Sequence, residues 1–552
     1  MKFLVFLFAI SATFTASPEP LKVKNGIVAA DQAVASKAGA MILKKGGNAF
    51  DAAVTTALVL GVTNPHSSGI GGGCFILFKH HKQSNAKIID AREQAPRKTD
   101  IKHFYKNGKL DTSLSQNGGL AVAIPNELNG LFLMHSKYGT LPWKQVVYPA
   151  YNLAKHGIYV SPYLNKTLIK HKEKFTQSTY LRDIFYKNNQ ALSTGTLLKQ
   201  PALAKTLKSI ALKGLRSFYK GSIAKEIINV VQSNGGILDA VDMANIQPQI
   251  LNAVKGTYRG YSVFTMPPPS SGGLVLLQML NVLQHYPLGD WGHNSSKTIH
   301  HVAEAMKHAY SDRAQYMGDP KFVDVPANQI TSQETARKIV DKISDSKVYH
   351  SDTYGMRYLP DDHGTSHFNV FDNQGNAVSI TSTINTLFGS RLVVDKYGVI
   401  LNNQMDDFSL APGIPNAYGL VGSEANSIQP HKKPLSSMTP TIVAKDKQVK
   451  LIVGGSGGPR IISGVLQVVL NSIDHNMNIK EAVDAPRMHH QWMPDKLYLE
   501  KEIPVDVVDN LKKRGHIIQR SVPRNVIQGI HIDGKDMYGA SDSRKQGQAA
   551  GY

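Results

Sequence analysis

T-S-H-F-N-V-F-D-N-Q-G-N-A-V-S-I-T-S-T-I-N-T-L-F-G, residues Thr365 to Gly389, is the stretch whose reading decides the fold. Residues 366–371 and 377–384 are rich in β-branched and aromatic side chains, and the D-N-Q-G-N between them tolerates turn backbone angles, so the pattern predicts a β-hairpin. A hairpin symmetric about Gln374 sets Thr365 opposite Thr383, within reach of a cross-strand hydroxyl contact. In the second strand Val378, Ile380, Ser382 and Ile384 point one way, and Ser379, Thr381, Thr383 and Asn385 point the other. On pattern alone the polar face reads as ordinary solvent-facing strand.

Working outward, V-K-N-G-I-V-A-A opens a strand near Val23. Residues 32–63 then read as a helix, a Lys-Gly-Gly-Asn turn and an Ala-rich helix. N-P-H-S-S-G-I-G-G-G-C-F is a tight glycine-rich turn into a strand; it lacks the Gly-Lys-Ser/Thr ending of a phosphate loop. Residues 120–355 read as largely helical. Within them His301, Glu304 and His308 share a helical face and are candidate metal ligands, but the spacing is not that of H-E-x-x-H and a packed helix face is the preferred reading. G-G-S-G-G around Ser456 fits a serine-hydrolase elbow, with Asp484 and His489 in the right chain order; in so glycine-rich a run the pattern reads as coincidence.

The 552 residues suggest two to four domains or one large layered domain. Met1 to about Ala16 carries a lysine, an apolar run and small residues, the pattern of a signal peptide, with a retained anchor as the alternative; with it removed, no stable membrane span and a periplasmic or secreted location are expected. Cys74, the single cysteine, excludes an intramolecular disulfide and sits in an apolar strand, where buried packing is expected. The formal charge of +21 comes from dispersed lysines without interleaved aromatics, which favours anionic small molecules over nucleic acid.

The order T-S-H, G-N-x-V-S-x-T-x-T-I-N and F-G resembles the start of the small subunit of γ-glutamyltransferases (γ-glutamyltranspeptidases), and G-G-N-A-F-D-A-A-V, D-A-R-E-Q-A-P, L-N-N-Q-M-D-D-F, P-L-S-S-M-T-P-T and the closing Y-G-A-S-D-S-R extend the similarity over nearly the whole chain. The resemblance implies an α+β, N-terminal-nucleophile (Ntn) hydrolase fold, an αββα four-layer sandwich built by two fragments of one autoprocessed precursor. Cleavage at Gly364–Thr365 would give a large subunit 17–364 and a small subunit 365–552 that stay together as a heterodimer. It would also free the Thr365 α-amine, whose pKa near 8 suits a general base for its own hydroxyl.

Residue by residue, the resemblance implies Thr365 as nucleophile, Thr383 orienting it, and the backbone of Gly457 and Gly458 as oxyanion hole. Arg92, Ser436 and Ser437 would hold the substrate carboxylate. Asn385, Gln404 and Asp407 would hold its amino group, under a lid carrying Tyr418. Glutathione and other γ-glutamyl compounds are the implied donors and amino acids or dipeptides the acceptors, with no metal or organic cofactor required. Two departures stand out: Asn369 where the family has a small hydroxyl residue, and Gly455-Ser456 where it has Ser-Pro. A glutaryl-type β-lactam acylase shares Thr365 and Arg92 but has no need of Asp407, and a non-catalytic secreted binding protein would keep the fold without cleavage.

Overall fold

The computed structural model describes residues 19–349, 364–521 and 525–552. The stretch 1–16, read from sequence as a signal peptide, and most of the 340–364 segment lie outside them.

Fourteen strands form two facing seven-stranded sheets. In chain order they are β1 (Leu21–Val23), β2 (Gly26–Ala30), β3 (Gly73–Lys79), β4 (Lys87–Ala91), β5 (Gln249–Asn252), β6 (Val254–Tyr258), β7 (Tyr261–Thr265), β8 (Ser366–Asp372), β9 (Ala377–Thr383), β10 (Thr441–Lys445), β11 (Gln448–Ser456), β12 (Val526–Asp533), β13 (Asp536–Ser541) and β14 (Gln548–Gly551). One sheet runs β5-β4-β3-β9-β8-β2-β14 and the other β1-β13-β12-β11-β10-β7-β6. Every ladder in both is antiparallel. Each sheet draws strands from both sides of Gly364–Thr365, so a cut there would leave the two pieces sharing both ladders.

Strand alternation sorts the core. Val28, Ile76, Phe78, Val370, Val378 and Ile380 pack against α1 (Ala33–Lys44), α2 (Ala49–Thr63) and the helices beyond. Ile27, Ala29, Phe75 and Leu77 turn toward the second sheet, whose far side carries α3 (Gly272–Leu283), α4 (Ser296–Tyr316) and α5 (Arg460–Ile473). The result is helix, sheet, sheet, helix. Helix α2 begins with a full capping box, Asn48 accepting from Phe50 and Asp51 while Asp51 accepts from Asn48 N–H.

The hairpin β8–β9 occupies the middle of its sheet, in the register Ser366↔Ser382 to Phe371↔Ala377. Its polar face is not solvent-facing, as pattern alone suggests: every residue of both strands is buried. The face is a hydrogen-bonded seam against the second sheet, a placement that strand periodicity cannot distinguish from exposure. His367 Nδ1 meets Thr381 Oγ1 at 2.9 Å, Ser379 Oγ donates to Asn369 Oδ1 at 2.7 Å, and Asn369 Nδ2 donates to the Gln528 carbonyl on β12 at 2.8 Å. Asn369, the larger residue at the departure position, thus ties the two sheets together. A Cβ on Gly454 of β11 would stand 2.2 Å from the His367 ring, so the approach of the sheets requires glycine there.

Candidate active site

The register of β8–β9, continued one residue, sets Thr365 across from Thr383 at the mouth of the seam, with their hydroxyls 3.2 Å apart. Both donate to the carbonyl oxygen of Gly364 at 2.8 Å, and Thr383 Oγ1 in turn accepts the N–H of Asn385. Two hydroxyls on one carbonyl withdraw electron density from its carbon, the atom that Thr365 Oγ1 must attack for the chain to cut itself. Gly364 is confined as well: a Cβ would lie 2.6 Å from the Thr386 carbonyl carbon. Asn385 holds φ of 75°, a conformation disfavoured for a non-glycine residue, while its carbonyl accepts from Tyr418 Oη at 2.9 Å.

Above Thr365 lies a cleft lined among others by Arg92, Arg313, Thr383, Asn385, Gln404, Asp407, Tyr418, Ser436, Ser437 and Gly458. Every substrate-binding residue expected from sequence lines it. Arg92 stands just past the end of β4. Its Nη2 donates to Asp407 Oδ2 at 2.6 Å and its Nε to the Pro434 carbonyl. Behind it Glu93 is fully buried, and burial, opposed by Arg92, pushes its carboxyl up to about 7. Gln404 Nε2 donates to Asp407 Oδ2 at 2.7 Å, leaving Gln404 Oε1 as an acceptor with no partner among the described residues. Gly457 and Gly458 carry φ of 129° and 57°, and a Cβ on Gly458 would meet the Tyr418 ring at 2.6 Å. Glycine here both turns the loop between β11 and α5 and lets the tyrosine close down.

Sequence reasoning missed Arg313, buried on α4 and facing the cleft, and the supports beneath Thr365. Lys545 Nζ bridges the Thr365 carbonyl (3.1 Å) and Asp31 Oδ2 (2.7 Å), both ends being buried. The signal was present in the late S-D-S-R-K, yet nothing local indicates that Lys545 reaches a residue 180 positions earlier.

The other candidates separate. Ser456 Oγ lies 3.4 Å from Asp31, His489 Nδ1 pairs with Ser463 Oγ, and Asp484 pairs with Lys480, so no elbow triad assembles from them. Cys74 is buried and its thiol is pushed well up by burial. Of the helical trio, His301 turns to Asp345. Glu304 instead meets His300, one turn earlier, and His516, and Lys307 Nζ stands 2.9 Å from the Glu304 carboxylate.

A threonine at the head of a central strand, between two facing antiparallel sheets enclosed by helices, defines an Ntn hydrolase. The comparisons narrow the class. The gamma-glutamyltranspeptidase family profile matches residues 35–552. The chain is 42% identical over 540 residues to the glutathione hydrolase proenzyme of Escherichia coli (strain K12), covering 97% of this chain and 93% of that one. It is 40% identical to the glutathione hydrolase proenzyme of Bacillus subtilis (strain 168), covering 96% and 92%. Among solved structures, a cephalosporin acylase from Bacillus halodurans superposes with a TM-score of 0.86 at 29% identity over 99% of both chains. The Helicobacter pylori gamma-glutamyltranspeptidase gives 0.56 at 38% identity, over 58% of this chain and 93% of that one. The chain belongs to the gamma-glutamyltranspeptidase family. No helix among the described residues is long and apolar enough to cross a membrane.

Proposed function

We propose that the protein is an autoprocessed γ-glutamyltransferase and glutathione hydrolase. The observation that carries this reading is the pairing, in one cleft, of a buried threonine hydroxyl 2.8 Å from the Gly364 carbonyl oxygen with an arginine–aspartate pair suited to an amino-acid head group. Thr365 Oγ1 attacks the Gly364 carbonyl, the resulting ester is hydrolysed, and fragments 17–364 and 365–552 remain associated. The freed amine then accepts the hydroxyl proton as Thr365 attacks the γ-amide carbon of glutathione or a related donor. The C–N bond breaks and the amine leaves with a proton. Gly457 and Gly458 N–H groups receive the oxyanion, with Thr383 orienting the nucleophile.

In the Michaelis complex the donor carboxylate takes the Arg92 fork and the hydroxyls of Ser436 and Ser437, while Asp407 and the open Gln404 Oε1 receive the ammonium. Asn385 completes the amino subsite, and Tyr418 shields the ester from bulk water. Water gives glutamate; an amino acid or short peptide gives a new γ-glutamyl product. The name "proenzyme" carried by the bacterial relatives agrees with self-cleavage, and the leading residues 1–16 suit an exported protein.

Intact mass under denaturing conditions tests the reading. The expected wild type is two fragments, the smaller beginning at Thr365, and the expected Thr365→Ala protein is one uncut chain without turnover. An uncut wild type favours the non-catalytic reading. The likeness to a cephalosporin acylase is tested by paired γ-glutamyl and glutaryl amides: equal turnover of both would move the assignment to an acylase.

A further inference from the structure

Arg313 is a buried cation in the cleft to which the proposed reaction gives no task. It is 5% exposed and lies on the last turn of α4. Its Nε donates to Ser271 Oγ at 3.0 Å and its Nη2 to Ser437 Oγ at 3.4 Å, both neutral hydroxyls. Among the described residues no carboxylate is in ion-pair contact with it, whereas the buried Arg92 and Arg487 are paired, with Asp407 and Asp542 respectively. Burial pushes the Arg313 guanidinium down to about 10, with Tyr310 and Asp407 opposing the shift. A desolvated guanidinium with no carboxylate in ion-pair contact favours an anion beside it.

The preference matters because Arg92 would meet the donor carboxylate with part of its charge already balanced. Its Nε and Nη2 are engaged by the Pro434 carbonyl, Asp407 and the Leu435 carbonyl, and Glu93 stands 3.6 Å from Nη1. Paired with Asp407, Arg92 offers an incoming carboxylate little net field. The cleft remains attractive to an anion through the second guanidinium.

We infer that Arg313 is a positioning and specificity residue of the carboxylate subsite: it fixes the Ser437 hydroxyl from behind and supplies the unbalanced positive charge that selects donors bearing a carboxylate next to the amino group. The inference rests on the γ-glutamyl reading above. It predicts that Arg313 matters for a γ-glutamyl donor and not for the same donor with its carboxylate removed.

The test uses purified, self-cleaved enzyme with two chromogenic donors, γ-glutamyl-p-nitroanilide and the decarboxylated 4-aminobutyryl-p-nitroanilide. Arg313→Met is expected to raise KM for the γ-glutamyl donor about tenfold or more with kcat within about threefold, and to leave kcat/KM for the 4-aminobutyryl donor unchanged. The preference between donors then shrinks by the same factor. Equal losses on both donors, or an unchanged KM, would overturn the role. Should Arg313→Met fail to cut itself, Arg313→Lys replaces it: charge retained and fork lost, with a KM rise of roughly three- to tenfold on the γ-glutamyl donor alone, and losses on both donors again overturning the role. A self-cleaved wild type that turns over neither donor would strike at the γ-glutamyl reading itself, a result distinct from a wild type that discriminates as well as its Arg313 variant does.

Discussion

Helix α4 carries two buried clusters of charge, one at each end, and they differ in what is left over. At its start His300, Glu304 and Lys307 join His490, Asp495 and His516 in a nest where Lys307 contacts both carboxylates. Lys307 Nζ contacts Glu304 at 2.9 Å, the Tyr349 carbonyl at 2.8 Å and Asp495 at 3.8 Å, while His490 meets Asp495 at 3.2 Å. At its end Arg313, bonded to the hydroxyls of Ser271 and Ser437 and to no carboxylate among the described residues, faces a cleft where Gln404 Oε1 has no partner among the described residues. Internal closure marks a structural cluster, and surplus marks a place for a ligand. The distinction is not visible in residue type, since both clusters are made of groups that any scan for active sites would select.

The contrast can be broken by exchanging its consequences. Lys307→Met leaves Glu304 buried without its cation and is expected to cost about 3–5 kcal/mol of stability, with KM for the γ-glutamyl donor unchanged in the protein that remains folded. Urea unfolding beside steady-state kinetics reads both quantities. A shift in KM without a loss of stability would mean that the nest communicates with the cleft and is not closed.

Asp407→Asn is the converse. Its carboxylate is proposed to receive the donor ammonium, a charge-assisted contact whose loss costs roughly 2–3 kcal/mol, or about a hundredfold in kcat/KM for γ-glutamyl amides. Glutaryl amides, which lack the amine, should lose far less. The urea midpoint should fall as well, because the buried Arg92 loses the carboxylate with which it pairs. A parallel loss on both donors would assign Asp407 to the support of Arg92, with which it pairs at 2.6 Å.

What could be read from the chain was what local periodicity encodes. The hairpin, its register and the opposition of Thr365 and Thr383 follow from β-branched residues on either side of D-N-Q-G-N, and the structure holds Ser366↔Ser382 as that symmetry requires. The burial of the polar face was not legible, because alternation has the same period whether the polar side meets water or a second sheet. It is the partner strands, Gln528 on β12 and Gly454 on β11, that decide it. The same holds for the site. Arg92, Gln404, Asp407 and Ser437 sit in motifs whose composition stands out, whereas Arg313 lies in an ordinary stretch of amphipathic helix and Lys545 acts at a distance of 180 positions. Their roles come from tertiary placement, to which no short window of sequence has access.

The nest also makes the smallest and most diagnostic prediction, because closure in it depends on histidines remaining neutral. His300 Nε2 donates to the Ser344 carbonyl at 2.6 Å, so its Nδ1 is left to accept from His516 Nε2 at 2.8 Å. Protonating His300 would set two N–H groups against each other. Burial first, then neighbouring positive groups including Lys307, pushes His516 down to about 2; burial lowers His300 and His490 to about 4, with the Ser344 carbonyl and Asp495 respectively opposing it. In the unfolded chain all three titrate near 6.5, so between about pH 6.5 and 4 the unfolded state binds more protons and stability rises with pH. Each histidine is expected to withdraw on the order of 1–3 kcal/mol as the pH falls through that window. Glu93, raised to about 7 beside the cleft, acts with the opposite sign, since its folded form takes up a proton first. Comparing wild type with His516→Gln therefore isolates the nest, for glutamine keeps an N–H for His300 Nδ1 and cannot titrate. The urea midpoint of the variant should fall less steeply from pH 6.5 to 4, with activity of the folded protein at pH 7.5 unaltered. An identical slope would mean that His516 takes up a proton in the folded protein as readily as in the unfolded chain.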